Sequence, residues 1–135
     1  MRDANLIFHD GTNFTSTITP NSTTRSGGSA VLDVGKTGIE GVWVQAALTA
    51  SMTGTSATID VKIQASSSAT FASDVEDLGA FQQMTQAGTL APFRVEKQVV
   101  TKRRYMRCVI TVGGTLSTET LLLHIVSGPN RDSVA

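Results

Sequence analysis

Cysteine is almost missing from this 135-residue chain, which carries only Cys108. One thiol closes no internal disulfide and supplies no cluster for zinc, so the fold must rest on its own core. Proline is scarce too, at 3 residues against 12 glycines. Aromatic residues make up 5%, with a single Trp and a single Tyr. That is too few for a sugar-stacking platform or for bases stacked along a nucleic-acid groove. Charged residues reach only 16% and sum to zero net charge, which removes the cationic excess a dedicated phosphate binder needs. No apolar run approaches the roughly 18 residues of a membrane-spanning helix. Near the start only Leu6-Ile7-Phe8 is apolar, short of the run of about 7–15 in a secretory signal. The expectation is a protein made in a cytoplasm and soluble there, with no nucleic acid, membrane or cofactor as partner.

Threonine and serine fill the gap, with 19 Thr and 13 Ser, and 40% of residues are hydrophobic. The length suits one domain over residues 1–135 with a core of its own. Its dominant period is two, the signature of half-buried strands. Val42, Val44, Ala46 and Leu48 alternate with Trp43, Gln45 and Ala47. Ile59, Val61, Ile63 and Ala65 alternate with Thr58, Asp60, Lys62 and Gln64. Between them, residues 51–56 are polar and contain Gly54, which predicts a hairpin. A second hairpin is predicted where Met106, Cys108, Ile110 and Val112 meet Leu121, Leu123 and Ile125 across a turn at Gly113-Gly114-Thr115. Weaker strands are expected at residues 5–8, 14–19, 30–34, 78–84 and 93–100. Residues 21–29 form a mobile loop in this reading, and residues 69–77 a long one with at most a helical turn. Eight or nine short antiparallel strands without βαβ alternation predict an all-β sandwich. Its core is expected to include Ile59, Val61, Ile63, Cys108, Ile110, Leu121 and Leu123.

Catalytic chemistry finds little support. Gly35-Lys36-Thr37 ends like a phosphate-binding loop, but Ala30 stands where the motif needs its first glycine, and a strand follows instead of a helix. His9 and His124 are the only histidines and nothing ties them together; His124 falls between Leu123 and Ile125 as a hydrogen-bonded residue on the second strand face. Cys108 alternates with Met106 and Ile110 as a small buried hydrophobe. Asp33, Glu40, Asp60, Glu96 and Glu119 are scattered singly, so no enzyme, catalytic residue or metal site is expected.

Two features suit recognition instead. Lys102, Arg103 and Arg104 fall together in a turn, within a stretch that also holds Arg94, Lys97 and Arg107. Such a patch docks on an acidic surface, or it is a solvated turn that keeps strand edges soluble; the acidic run Asp74-Val75-Glu76-Asp77 is a candidate partner within the chain or on a neighbouring copy. Trp43 lies opposite Val42 and Val44, where it marks an interface or packs under a loop.

The opening Met1-Arg2-Asp3-Ala4-Asn5-Leu6-Ile7-Phe8, followed by His9-Asp10-Gly11, resembles the start of small cement (decoration) proteins of tailed-bacteriophage capsids. Val61-Lys62-Ile63-Gln64-Ala65-Ser66-Ser67-Ser68, leading to Phe71 and Leu78-Gly79-Ala80-Phe81, is similar to the same family. So is Arg104-Tyr105-Met106-Arg107 with the strand and hairpin after it. The likeness spans most of the chain in length and strand order, and its motifs are short and structural. It implies a jelly-roll-like β-sandwich without enzymatic activity. It further implies a homodimer or homotrimer on the outer capsid surface of a virion, made in the host bacterial cytoplasm and bridging major capsid protein subunits. The stretch from Val61 to Phe81 is also similar to sugar-binding jelly rolls and phage tail modules, so a carbohydrate-binding or tail-adhesion module is the alternative.

Overall fold

The computed structural model of the chain describes residues 6–34, 41–89 and 91–126. Alternating side chains form strands wherever one face can be buried, and here they form seven in a single antiparallel sheet. The strands are β1 (Ile7–Asp10), β2 (Leu32–Asp33), β3 (Val42–Ser66), β4 (Glu76–Ala80), β5 (Met84–Thr85), β6 (Phe93–Val99) and β7 (Tyr105–Val126). No α-helix occurs among the described residues. The fold is all-β, but its strands are fewer than the eight or nine expected and two of them are long. β3 has 25 residues and β7 has 22.

Neither predicted hairpin forms. β3 runs through residues 51–56, β7 runs through Gly113-Gly114-Thr115, and the two strands pair with each other from Trp43↔Val126 to Ser66↔Tyr105. Burial explains the difference. Met52, Ala57 and Leu116 lie in or beside the expected turns and all belong to the core, a place that the exposed tip of a hairpin cannot occupy. Mutual pairing also satisfies the backbone of both segments, with Thr53 opposite Thr118 and Thr55 opposite Thr115.

Mid-ladder, the register shifts between Leu48 and Ala50, Ala50 and Thr53, Thr53 and Gly54, and Thr55 and Thr58. Bulges of this kind bend and twist a strand. They also change which residues face inward. Along β3 the core-facing residues are Val44, Ala46 and Leu48 before the bend, then Ile59, Val61, Ile63 and Ala65 after it. Along β7 they are Met106, Cys108 and Ile110, then Leu121 and Leu123. Even numbers give way to odd in both strands, so the same face stays apolar through the bend.

Each long strand therefore serves two leaves. In one leaf β6 and β1 flank the first half of β3 and the second half of β7; in the other, β4 and β5 flank β3 while β2 flanks β7. Inward residues of both leaves form one core cluster. The Lys97 stem of β6 lies against Gly79 of β4, joining the outer edges of the leaves. The sheet is folded on itself like a sandwich. All seven expected core residues are at most 2% exposed.

The weaker strands changed more. Residues 14–19 form no strand; Ile18 and Ile110 exchange backbone hydrogen bonds of 2.8 and 3.0 Å, and Phe14 drops into the core. The first strand runs Ile7–Asp10, with Asn5 outside the described residues. The 78–84 run splits into β4 and β5 because Phe81 turns inward, its N–H donating to Val61 O at 3.0 Å. The loop at 21–29 is held to β1: the Arg25 guanidinium donates to the carbonyls of Ile7 and Gly28 at 2.6 and 2.7 Å.

Two glycines permit the close approach at the bend. Gly54 has φ +146° and Gly114 has φ +65°, and a Cβ on either would collide with a carbonyl oxygen across the ladder, of Thr115 and Ser56 respectively. Gly54→Ala and Gly114→Ala should each destabilise the fold by about 1–3 kcal/mol, from strained backbone plus the clash. Leu123→Ala should cost about 2–5 kcal/mol through the cavity it leaves. Urea unfolding midpoints measure all three; unchanged midpoints in the glycine variants would remove the bend from its proposed position.

Candidate functional site

The cationic turn between β6 and β7 is matched largely within the chain. Arg104 donates through Nε and Nη2 to the two carboxylate oxygens of Asp33, both at 2.8 Å. Strand register makes this pair, because Asp33 of β2 lies opposite Tyr105 of β7. Arg104 also lies over the Tyr105 ring at 5.2 Å, and its bond to Asp33 raises its already high pKa. Arg103 donates Nε to the Asp74 carbonyl at 2.8 Å and sets its Nη1 3.1 Å from the Glu76 carboxylate. Arg103 thus pairs with the acidic run inside a single chain, while Arg104 pairs with Asp33. Lys102 remains exposed.

Arg107 belongs to a different arrangement. It donates Nε to Gln64 Oε1 at 2.9 Å and Nη1 to the Pro20 carbonyl at 2.8 Å, with its guanidinium 4.2 Å from the centre of the Phe71 ring. Burial pulls its pKa down. Gln64 passes the chain of bonds on to Asp77 at 2.7 Å. This network covers the outer face of the β4 leaf and ties down the 67–75 loop. On the other leaf's outer face, Trp43 is half-buried, in register with Gln98 and Val126. Gln45, Ala47, Leu122 and His124 beside it are buried.

The two histidines lie on adjacent strands, His9 opposite Leu123 and His124 opposite Ile7. His9 is fully buried; its Nε2–H donates to the Thr12 carbonyl at 2.8 Å and its Nδ1 accepts from the Ser29 hydroxyl at 2.7 Å. Phe14 meets the ring edge-on at 5.1 Å. Burial lowers the His9 pKa, and a neutral Nε2–H imidazole satisfies both bonds. Ser29 is buried as well, so this Ser–His pair offers no nucleophile to a substrate. Burial pushes the Cys108 thiol well above its ordinary value, which keeps it unreactive.

Glu119 was not singled out for any role in the sequence. It is 4% exposed and accepts the Phe14 N–H at 3.1 Å through Oε1, while its own N–H donates to Asn13 Oδ1 at 3.1 Å. Oε2 is buried with no hydrogen-bond partner among the described residues. The interacting residues are over a hundred positions apart, so no local signal in the sequence reveals the contact. Burial raises the Glu119 pKa, partly opposed by the Phe14 bond. The network of His9, Asn13, Phe14 and Glu119 holds the N-terminal loop in place.

A surface hollow of about 440 Å³ is lined by Ser56, Ala57, Thr58, Thr85, Gln86 and Ala87 and carries no ionisable side chain. Among the described residues no group of three or more His, Cys, Asp or Glu is placed to hold a metal ion. Half-buried Trp43 and exposed Lys102 are the remaining candidates for contact with a partner.

Glu119 generates a pH prediction. The folded state binds its proton more tightly than the unfolded chain does, so its contribution is fully present below the ordinary value of 4.5 and is lost as pH rises through the raised folded value. His9 acts oppositely: its contribution is present above 6.5 and is lost as pH falls through the lowered folded value. Glu119→Gln keeps an acceptor for Phe14 and removes the charge. Its urea midpoint relative to the unmodified protein should therefore rise between pH 4 and pH 8; a constant difference would show Glu119 ionised in the folded protein without cost.

Gly35-Lys36-Thr37, Glu40, the opening from Met1 to Asn5 and the tail from Gly128 lie outside the described residues. No protein-family model matches the chain, and no curated protein matches it in sequence.

Proposed function

We propose that the chain is a structural virion protein that binds the outside of a phage capsid and bridges major capsid protein subunits, without enzymatic activity. The observation that carries this reading is the architecture. β3 and β7 run together through both leaves, with one core between them. Such a body transmits load along backbone ladders. A jelly-roll-like sandwich that oligomerises on the shell is the form this reading takes, and the resemblance of the opening, central and closing segments to capsid cement proteins supports it. Many weak contacts repeated around a closed shell add through multivalency, so no single deep pocket is needed.

Within this reading the contact candidates divide. Trp43 supplies a half-buried apolar surface and Lys102 an exposed cation. Arg103 and Arg104 shape the turn through Glu76, Asp74 and Asp33. Lys102→Glu should slow association with capsids at low salt and converge on the unmodified protein at high salt, as expected for a screened rim contact. Replacing Arg103 and Arg104 with Ser should leave the chain folded, because solvent-screened ion pairs contribute little to stability, and circular dichroism checks it.

Co-sedimentation with expanded, undecorated phage capsids tests the assignment. Saturable binding to the shell is expected. Binding to glycans in an array, with none to capsids, would instead make the chain a carbohydrate-binding or tail-adhesion module.

A further inference from the structure

We propose that β6 is a self-association edge, along which two copies of the chain pair antiparallel about a twofold axis at Val95. An edge strand invites pairing unless it is short, bulged or covered. β2 and β5 have two residues each. β4 has five and a register break between Ile63 and Gln64. β1 has four and is covered: Asp10 N–H donates to Gly28 O and Ala30 N–H to Phe8 O, both at 3.0 Å. β6 has seven residues, contains no proline, and pairs with β3 from Val42↔Val99 to Leu48↔Phe93 without a register break. Among the described residues its backbone pairs only with β3.

The sequence of β6 also specifies a register. A twofold axis normal to the sheet keeps side chains on their own face, so the axis must pass through a residue. Three such registers overlap five or more residues of the strand, centred on Val95, Glu96 or Lys97. Centring on Glu96 sets two carboxylates opposite each other, and centring on Lys97 sets two ammonium groups together; like charges directly opposite destabilise a sheet. Centring on Val95 places Arg94 opposite the partner's Glu96, and Glu96 opposite the partner's Arg94, with Val95 meeting its own copy. Lys97, the inward charge that often guards an edge, is drawn away by its stem against Gly79 of the other leaf. The paired strands would join the two copies of the β6 leaf into one continuous sheet.

The inference stands apart from the capsid assignment, since it concerns the free protein. Sedimentation equilibrium of the full chain should show a monomer–dimer equilibrium without trimers. Val95→Cys should give a disulfide-linked dimer on mild oxidation, with Cys108 buried and out of competition. Arg94→Glu or Glu96→Arg alone should weaken the dimer about tenfold, because each reversal turns two attractive cross-strand pairs into repulsive ones. The double variant should recover most of the lost affinity, and circular dichroism should show all variants folded. A monomer at every concentration, a trimer, a missing Val95→Cys cross-link, or a double variant no tighter than the singles would each overturn the proposal. A confirmed dimer that ignores capsids would leave it standing and remove the capsid reading.

Discussion

The antiparallel ladder between β3 and β7 is the constraint on which the rest of the molecule depends. Its two strands supply the centre of both leaves, so the bulges between Leu48 and Thr58 decide whether the apolar faces meet. Without the change of parity at the bend, Val61, Ile63 and Cys108 would point outward whenever Val44, Leu48 and Leu123 pointed in. A one-residue slip in a strand turns its whole apolar set to the wrong face. Here an odd offset on each strand is what keeps the core whole. Gly54 and Gly114 make that offset sterically possible, because their missing Cβ atoms let the strands cross the bend at close quarters.

Polar residues hold what the ladder leaves open. Residues 6–19 contribute one short strand and two bridges, and they depend on side chains for the remainder of their anchoring: Arg25 on the Ile7 carbonyl of β1, His9 between Thr12 and Ser29, and Glu119 beneath Phe14. At the other leaf, Arg107 and Gln64 secure the outer face, and Arg103 and Arg104 draw the acidic loop and β2 toward the turn. The cationic cluster is therefore chiefly a structural clasp, with Lys102 left at its rim.

Legibility in the sequence followed range. Period-two alternation located the four central strand segments and every core residue named from them, because alternation is local. Strand continuity was not legible. The stretches at residues 51–56 and 113–115 carry turn-like composition, and only their pairing with each other, far apart in sequence, makes them strand. Phe14 and Ile18 looked like part of a strand, yet one fills the core and the other makes a single bridge. The pairing of Arg103 with the acidic run was visible as one of two alternatives, since opposite charges in two loops suggest a match without saying whether it lies within one chain. Glu119 gave no sign at all, because its burial depends on a loop from the opposite end.

The central structural claim is one continuous ladder in place of two hairpins, and nuclear Overhauser contacts across the bend test it most directly. The account predicts backbone contacts between Thr53 and Thr118 and between Thr55 and Thr115. Contacts closing residues 51–56 into a turn, with Leu48 beside Thr58 and Val112 beside Thr115, would contradict it.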